Sequence, residues 1–151
     1  MTLQNGGYIM IRKSKEEDIN RVAEIWLDTN LKAHHFISEQ YWRDNFEMVK
    51  EMLSQAELYV YEDENTIQGF VGLNEYDIEG IFVWSEAQSK GVVKQLIDFV
   101  KGIKRQLRLR VYQKNTRAVS FYQKQDFQIE SEYIDENTGE REFSMFWRQS
   151  W

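Results

Sequence analysis

Between the apolar run Ile78–Trp84 and an amphipathic stretch ending near Lys104 stands the loop Ser85-Glu86-Ala87-Gln88-Ser89-Lys90-Gly91-Val92-Val93. A strand that passes through a glycine into a helix makes an anion site. The first helical N–H groups have no internal partner, and the helix dipole draws negative charge to them. Gly91 lets the backbone approach a phosphate without a Cβ in the way, and Lys90 adds a cation at the rim. A plain connecting loop has the same outline, so the stretch needs its surroundings to be read. His34 and His35 are the only histidines among 151 residues, and there is no cysteine. Disulfides, thiolate metal sites and a cysteine-linked intermediate are therefore excluded, and two adjacent histidines do not build a metal centre. The net charge of −6 argues against a nucleic-acid partner and favours collection of cations such as amines.

The elements that must position these residues follow from periodicity. "IMIR" reads as a first strand. Ser14 stands three residues before Glu17, a capping box opening a helix whose buried face is Ile19, Val22, Ile25, Trp26 and Thr29. Ser38 caps a second helix carrying Trp42, Phe46, Val49 and Leu53 at helical spacing. The period then switches to two. "ELYVYED" and "IQGFVGLNE" form a hairpin about the turn "DENT", and "DIEGIFVW" is a further strand. The helix from about Gly91 to Lys104 buries Val92, Leu96, Val100 and Ile103. "LRLRVY" is a strand, Thr116–Lys124 a short helix, and "FQIESEYI" with "REFSMFW" a closing hairpin turning at Gly139. The order βααβββαβαββ predicts an α/β chain with a mixed sheet and helices on its faces. Residues 1–9 read as a flexible leader and 10–151 as one domain. No apolar run approaches the ~20 residues of a membrane span and no signal peptide is visible, which gives a cytoplasmic reading with no membrane partner.

Three stretches together resemble the GNAT family of N-acetyltransferases. The family's loop signature, Gln/Arg-x-x-Gly-x-Gly/Ala, stands here as Gln88-Ser89-Lys90-Gly91-Val92-Val93, with Val93 where the family has a small residue. "NTRAVSFYQKQDF" matches Asn-x-x-Ala-x-x-Phe-Tyr-x-x-x-Gly-Phe at Asn115, Ala118, Phe121, Tyr122 and Phe127, with Asp126 replacing the glycine. His34, Phe36 and Ile37 match the His-x-Phe-Leu/Ile of small bacterial members that include peptidyl-lysine acetyltransferases. The resemblance spans residues 10–148.

That resemblance implies a mostly antiparallel sheet splayed at a cofactor site, acetyl-CoA as cosubstrate and no metal. The amides of Ser89, Lys90, Gly91, Val92 and Val93 would hold the pyrophosphate, with Gln88 shaping the loop. The strand at Ile81, Phe82 and Val83 would pair with the pantetheine arm, and Asn115 would lie against it. Tyr122 would protonate the departing thiolate. An amine acceptor, with a pKa of ~10.4 for lysine, must also lose a proton. Glu79 is the candidate base, or else a solvated strand glutamate. His34 and Phe36 fall in the acceptor region, where His34 either orients the acceptor and relays its proton or simply packs. The expected activity is direct acetyl transfer to a primary amine, on a protein lysine or a small molecule, by a monomer or homodimer. A non-catalytic acyl-CoA-binding or protein-interaction module is the alternative, and Val93 is the residue that favours it.

Overall fold

Side chains alternating in the middle of the chain, and helical stripes on either side of it, fold into one sheet covered on both faces. The computed structural model describes residues 2–4 and 7–150. Strands β1 (Thr2–Gln4) and β2 (Gly7–Lys13) lead through a 3-10 turn at Glu16–Asp18 into helix α1 (Ile19–Ala33). Helices α2 (Glu39–Asp44) and α3 (Phe46–Gln55) follow, then strands β3 (Glu57–Asp63), β4 (Thr66–Asn74) and β5 (Asp77–Val83). Helix α4 (Val92–Ile103), strand β6 (Gln106–Tyr112), helix α5 (Thr116–Lys124) and the hairpin β7 (Gln128–Ile134) and β8 (Arg141–Arg148) complete the chain. The sheet runs β1-β2-β3-β4-β5-β6-β8-β7, and every neighbouring pair is antiparallel except β5 with β6. Within the segment 1–9, β1 pairs Thr2 with Ile9 and Gln4 with Gly7, while Met1, Asn5 and Gly6 lie outside the described residues.

Alternation sorts the core into two layers. Leu58 and Val60 of β3 join Val22, Ile25 and Trp26 of α1 on one face. On the other, Tyr61, Val71 and Leu109 pack with Leu96, Ile97 and Val100 of α4. The turn after β3 has φ of 50° at Glu64 and 66° at Asn65, the two-residue geometry that suits the twist of a hairpin.

Three sequence expectations are corrected. The second helix breaks at Asn45, whose Nδ2 donates to the Tyr41 carbonyl at 2.7 Å and so competes with the helical ladder. The start of α1 is not capped by Ser14 and Glu17. Instead Asp18 reaches back to accept the Lys15 amide at 2.7 Å, while the Ser14 amide donates to Leu58 at 2.9 Å and joins the sheet. Ile103, the last residue of α4, is 46% exposed, and Ile97 takes its expected place in the core.

Asp18 also accepts from the Arg12 guanidinium at 2.8 and 3.2 Å, and Arg12 donates to Glu62 at 2.8 Å. One ion cluster thus ties β2, β3 and the start of α1 together. The Arg12 hydrogen bonds hold the Asp18 carboxyl below the usual carboxylate range. Its contribution is therefore present above the unfolded value of ~3.9 and is lost as pH falls through the lower folded value. Asp18→Asn is predicted to destabilise the fold by about 2 kcal/mol, because it weakens a mostly buried charged hydrogen bond. Urea unfolding at neutral pH checks this, and the difference from wild type should shrink in strong acid.

Candidate active site

The site begins where the sheet comes apart. Strands β5 and β6 pair only at Asp77 with Arg108 and Ile78 with Leu109. Beyond that point β5 stays on β4 and β6 stays on β8, so a gap opens between them. A bulge helps to turn β5 away: Gly72 faces Gly80 and Leu73 faces Ile78, which leaves Glu79 as an extra residue. The Trp84 amide donates to Gln68 on β4 at 2.7 Å. Alternation then points the backbone groups of Phe82 to β4 and those of Ile81 and Val83 into the gap. Gln88 Nε2 donates to the Val83 carbonyl at 3.2 Å and so pins the following loop to the strand end.

The loop is shaped by positive φ at Ser89 (67°) and Gly91 (78°), a geometry of the kind that curls successive amides into an anion-binding concavity. A Cβ on Gly91 would meet nothing within 4 Å, so the backbone angle, not crowding, is what asks for glycine. Gly91 is the N-cap of α4, and its carbonyl accepts from the Gln95 amide at 3.1 Å. The amides of Ser89 through Lys94 have no acceptor among the described residues. Close packing seats the helix: a Cβ at Gly69 would lie 2.9 Å from the Phe82 carbonyl and 3.2 Å from Val92. Val93 is half-buried and packs against the core cluster beneath α4. Lys90 is exposed and makes no ion pair among the described residues.

Asn115 caps α5, its Oδ1 accepting the Ala118 amide at 3.2 Å, which leaves its Nδ2 free to donate. Asp126 takes the place of the family glycine with φ of 71°. Tyr122 packs with Phe121 and Phe127 against the core cluster beneath α4. Its hydroxyl makes no hydrogen bond to the described residues, and desolvation pushes its pKa up to about 12. The phenol is therefore protonated at neutral pH and able to donate.

His34 and Phe36 come together on the opposite, α1 face. The His34 ring lies 5.6 Å from Phe36, 5.8 Å from Trp42 and 5.0 Å from Tyr112 at the end of β6. Burial, with a smaller push from His35, lowers its pKa to about 4, so the imidazole is neutral at physiological pH. Glu79 is exposed at the bulge on this same face, beside a cavity of about 520 Å³ lined by Trp26, Leu53, Phe70 and Phe82. Glu79 and Tyr122 thus stand on opposite sides of the sheet, with the gap between β5 and β6 connecting the two faces. Sequence reasoning missed Tyr112, whose hydroxyl donates to Asp135 at 3.1 Å, because only the folded sheet joins residues so far apart. No group of His, Cys, Asp and Glu that could hold a metal is present among the described residues.

Residues 54–129 match the family described as an acetyltransferase (GNAT) domain. The peptidyl-lysine N-acetyltransferase YiaC of Escherichia coli is 35% identical over 122 residues, covering 80% of this chain and 84% of that one. The apo solution structure of Escherichia coli YjaB aligns with a TM-score of 0.84 at 23% identity, covering 95% of this chain and 99% of the other. A paia N-acetyltransferase from Thermoplasma acidophilum, solved with coenzyme A, aligns at 0.80 with 21% identity, covering 93% of this chain and 99% of the other. These two structures share the fold of this protein. On the family match and the identity to YiaC together, the chain belongs to the GNAT family of acetyltransferases.

Proposed function

We propose that the protein is an acetyl-CoA-dependent N-acetyltransferase that moves the acetyl group directly to a primary amine, with protein lysine as the first candidate acceptor and small amines as the second. The observation that carries this reading is the pinned loop: amides of Ser89 through Lys94 without acceptors, at a helix N-terminus, beside an open strand edge. Those features fit a pyrophosphate followed by an arm rich in amides. The likeness to enzymes called peptidyl-lysine N-acetyltransferases supports the choice of acceptor.

Acetyl-CoA supplies the acetyl group as a thioester. Ile81 N–H and C=O, and Val83 N–H, are placed to pair with its arm, whereas the Val83 carbonyl is already engaged by Gln88. Asn115 Nδ2 adds a donor from the head of α5. The protonated Tyr122 hydroxyl donates to the departing sulfur. On the other face Glu79 takes the proton from the acceptor, directly or through water, and neutral His34 orients the amine without repelling it. Holding both partners in one cleft replaces a bimolecular encounter, so no acyl-enzyme is needed. The enzyme is read as a cytoplasmic monomer or homodimer. A binding module without turnover loses support, because Val93 is engaged in packing against the core cluster beneath α4.

Calorimetric titration with acetyl-CoA tests the site directly, with desulfo-CoA and ATP as controls. Gly91→Glu should abolish the binding, since it adds backbone strain and a negative charge where the phosphates sit. Near-normal binding by that variant would put the phosphates elsewhere. Tyr122→Phe should lower kcat by on the order of 10²-fold or more while leaving acetyl-CoA affinity intact. Unchanged turnover would remove Tyr122 from the mechanism.

A further inference from the structure

Glu142 on β8 is half-buried, yet its carboxylate has no hydrogen bond or ion pair among the described residues, the Gln113 side chain donating only to its backbone carbonyl. Directly across the ladder from it stand Tyr112 on β6 and Tyr133 on β7. Cross-strand partners share a face, which puts Glu142 with Tyr112 on the side of His34 and Phe36. Asp135, in the loop after β7, is close enough to act on it. Asp135 accepts from Tyr112 at 3.1 Å, from Thr138 at 3.1 Å and from the Asn137 amide at 3.0 Å.

The electrostatics are frustrated. Burial first, and then the charge of Asp135, push the Glu142 carboxyl upward. Arg110 opposes them, but its guanidinium lies over the Tyr133 ring at 4.9 Å instead of making an ion pair. Burial pushes the Tyr41 hydroxyl of α2 upward, and the charges of Asp135 and Glu142 add to that. Two like charges in a half-dry setting are costly unless a cation joins them.

A separate feature of the same wall also suits a cationic guest. The chain's own Lys114 places its ammonium 5.6 Å over the Phe36 ring and 3.1 Å from Glu140. An ammonium is thus already drawn to this rim by an aromatic face and a carboxylate.

We propose that Glu142, with Asp135 and the rings of Phe36, Tyr41 and Tyr112, forms a cation-selecting lip on the acceptor side, so that the enzyme takes lysines lying in basic peptide segments. This rests on the transferase reading above and adds the charge of the acceptor's surroundings to it. Glu142 acts on KM for the acceptor and leaves the reacting atoms alone.

The test uses the full chain with CoA bound and two lysine peptides of equal length, one flanked by arginines and one by glutamates. Calorimetry gives binding, and acetylation with acetyl-CoA gives KM and kcat. Wild type should favour the arginine-flanked peptide, and Glu142→Gln should cut that preference ~10-fold in KM with kcat and acetyl-CoA affinity unchanged. Glu142→Lys should reverse the preference, which loss of a merely structural residue does not do. Thermal melts of both variants confirm that they fold. An unaltered preference in both variants, or no preference in wild type, overturns the lip. A Glu142-dependent preference in binding with no acetylation of either peptide keeps the lip and sinks the transferase reading. Transfer without charge preference does the opposite. A linear polyamine, run as a third arm, overturns the peptide assignment if it alone shows the Glu142 dependence.

Discussion

The structure turns on a parallel pairing that is made and then abandoned. Strands β5 and β6 join at two residue pairs and separate, which leaves two strand edges facing each other inside the sheet. Backbone groups at an edge need partners, and an unfilled edge is ordinarily a liability. Each strand is held by its outer neighbour, β5 by β4 and β6 by β8, so the gap cannot close without breaking long antiparallel ladders. The opening is therefore a fixed feature of the fold, and one shaped for an extended ligand with its own amides. The Val83 carbonyl, at the far end, has already found such a partner in Gln88.

From that constraint the rest of the site follows. On the proposed reading, a ligand in the gap would be reachable from both faces, with the proton donor and the proton acceptor kept apart. Tyr122 belongs to the layer beneath α4, and Glu79 to the layer beneath α1 and α3. The bare backbone at Gly69 lets Val92 sit tightly on the sheet, and this fixes the N-terminus of α4 against the end of β5. The loop amides thus take their direction from packing several residues away. The residue that departs from the loop signature, Val93, contributes to that packing.

Much of this was legible in the sequence because it is written at short range. Alternation in β3 and β4, the stripe on α1, the Ser38 cap and the extent of α5 depend on residues a few positions apart. The loop and the Asn115–Phe127 motif were legible for the same reason. What escaped depends on partners brought from afar. Asp18 became the reciprocal cap because Arg12 and the Lys15 amide converge on it, whereas Ser14 was drawn to Leu58 on β3. Asn45 broke a helix whose apolar spacing ran straight through it, since its side-chain amide shares the Tyr41 carbonyl at 2.7 Å with its own backbone amide at 3.3 Å. The separation of β5 from β6 was expected only through the family resemblance, since it is set by β8, which follows both strands in the chain. The joining of Tyr112 to Asp135 requires that same hairpin.

The acceptor side adds an electrostatic consequence of burial. A histidine in water would carry part of a positive charge at neutral pH, which on the proposed reading would oppose an incoming ammonium. Packing against Phe36, Trp42 and Tyr112 holds His34 neutral, with its pKa lowered to about 4. Burial also leaves the Glu142 carboxylate poorly hydrated and so poorly screened. Aromatic packing therefore keeps one nearby group, His34, from repelling a cation, while burial leaves the Glu142 carboxylate poorly screened. The net charge of −6 acts at long range, and this wall gives it a place to act on.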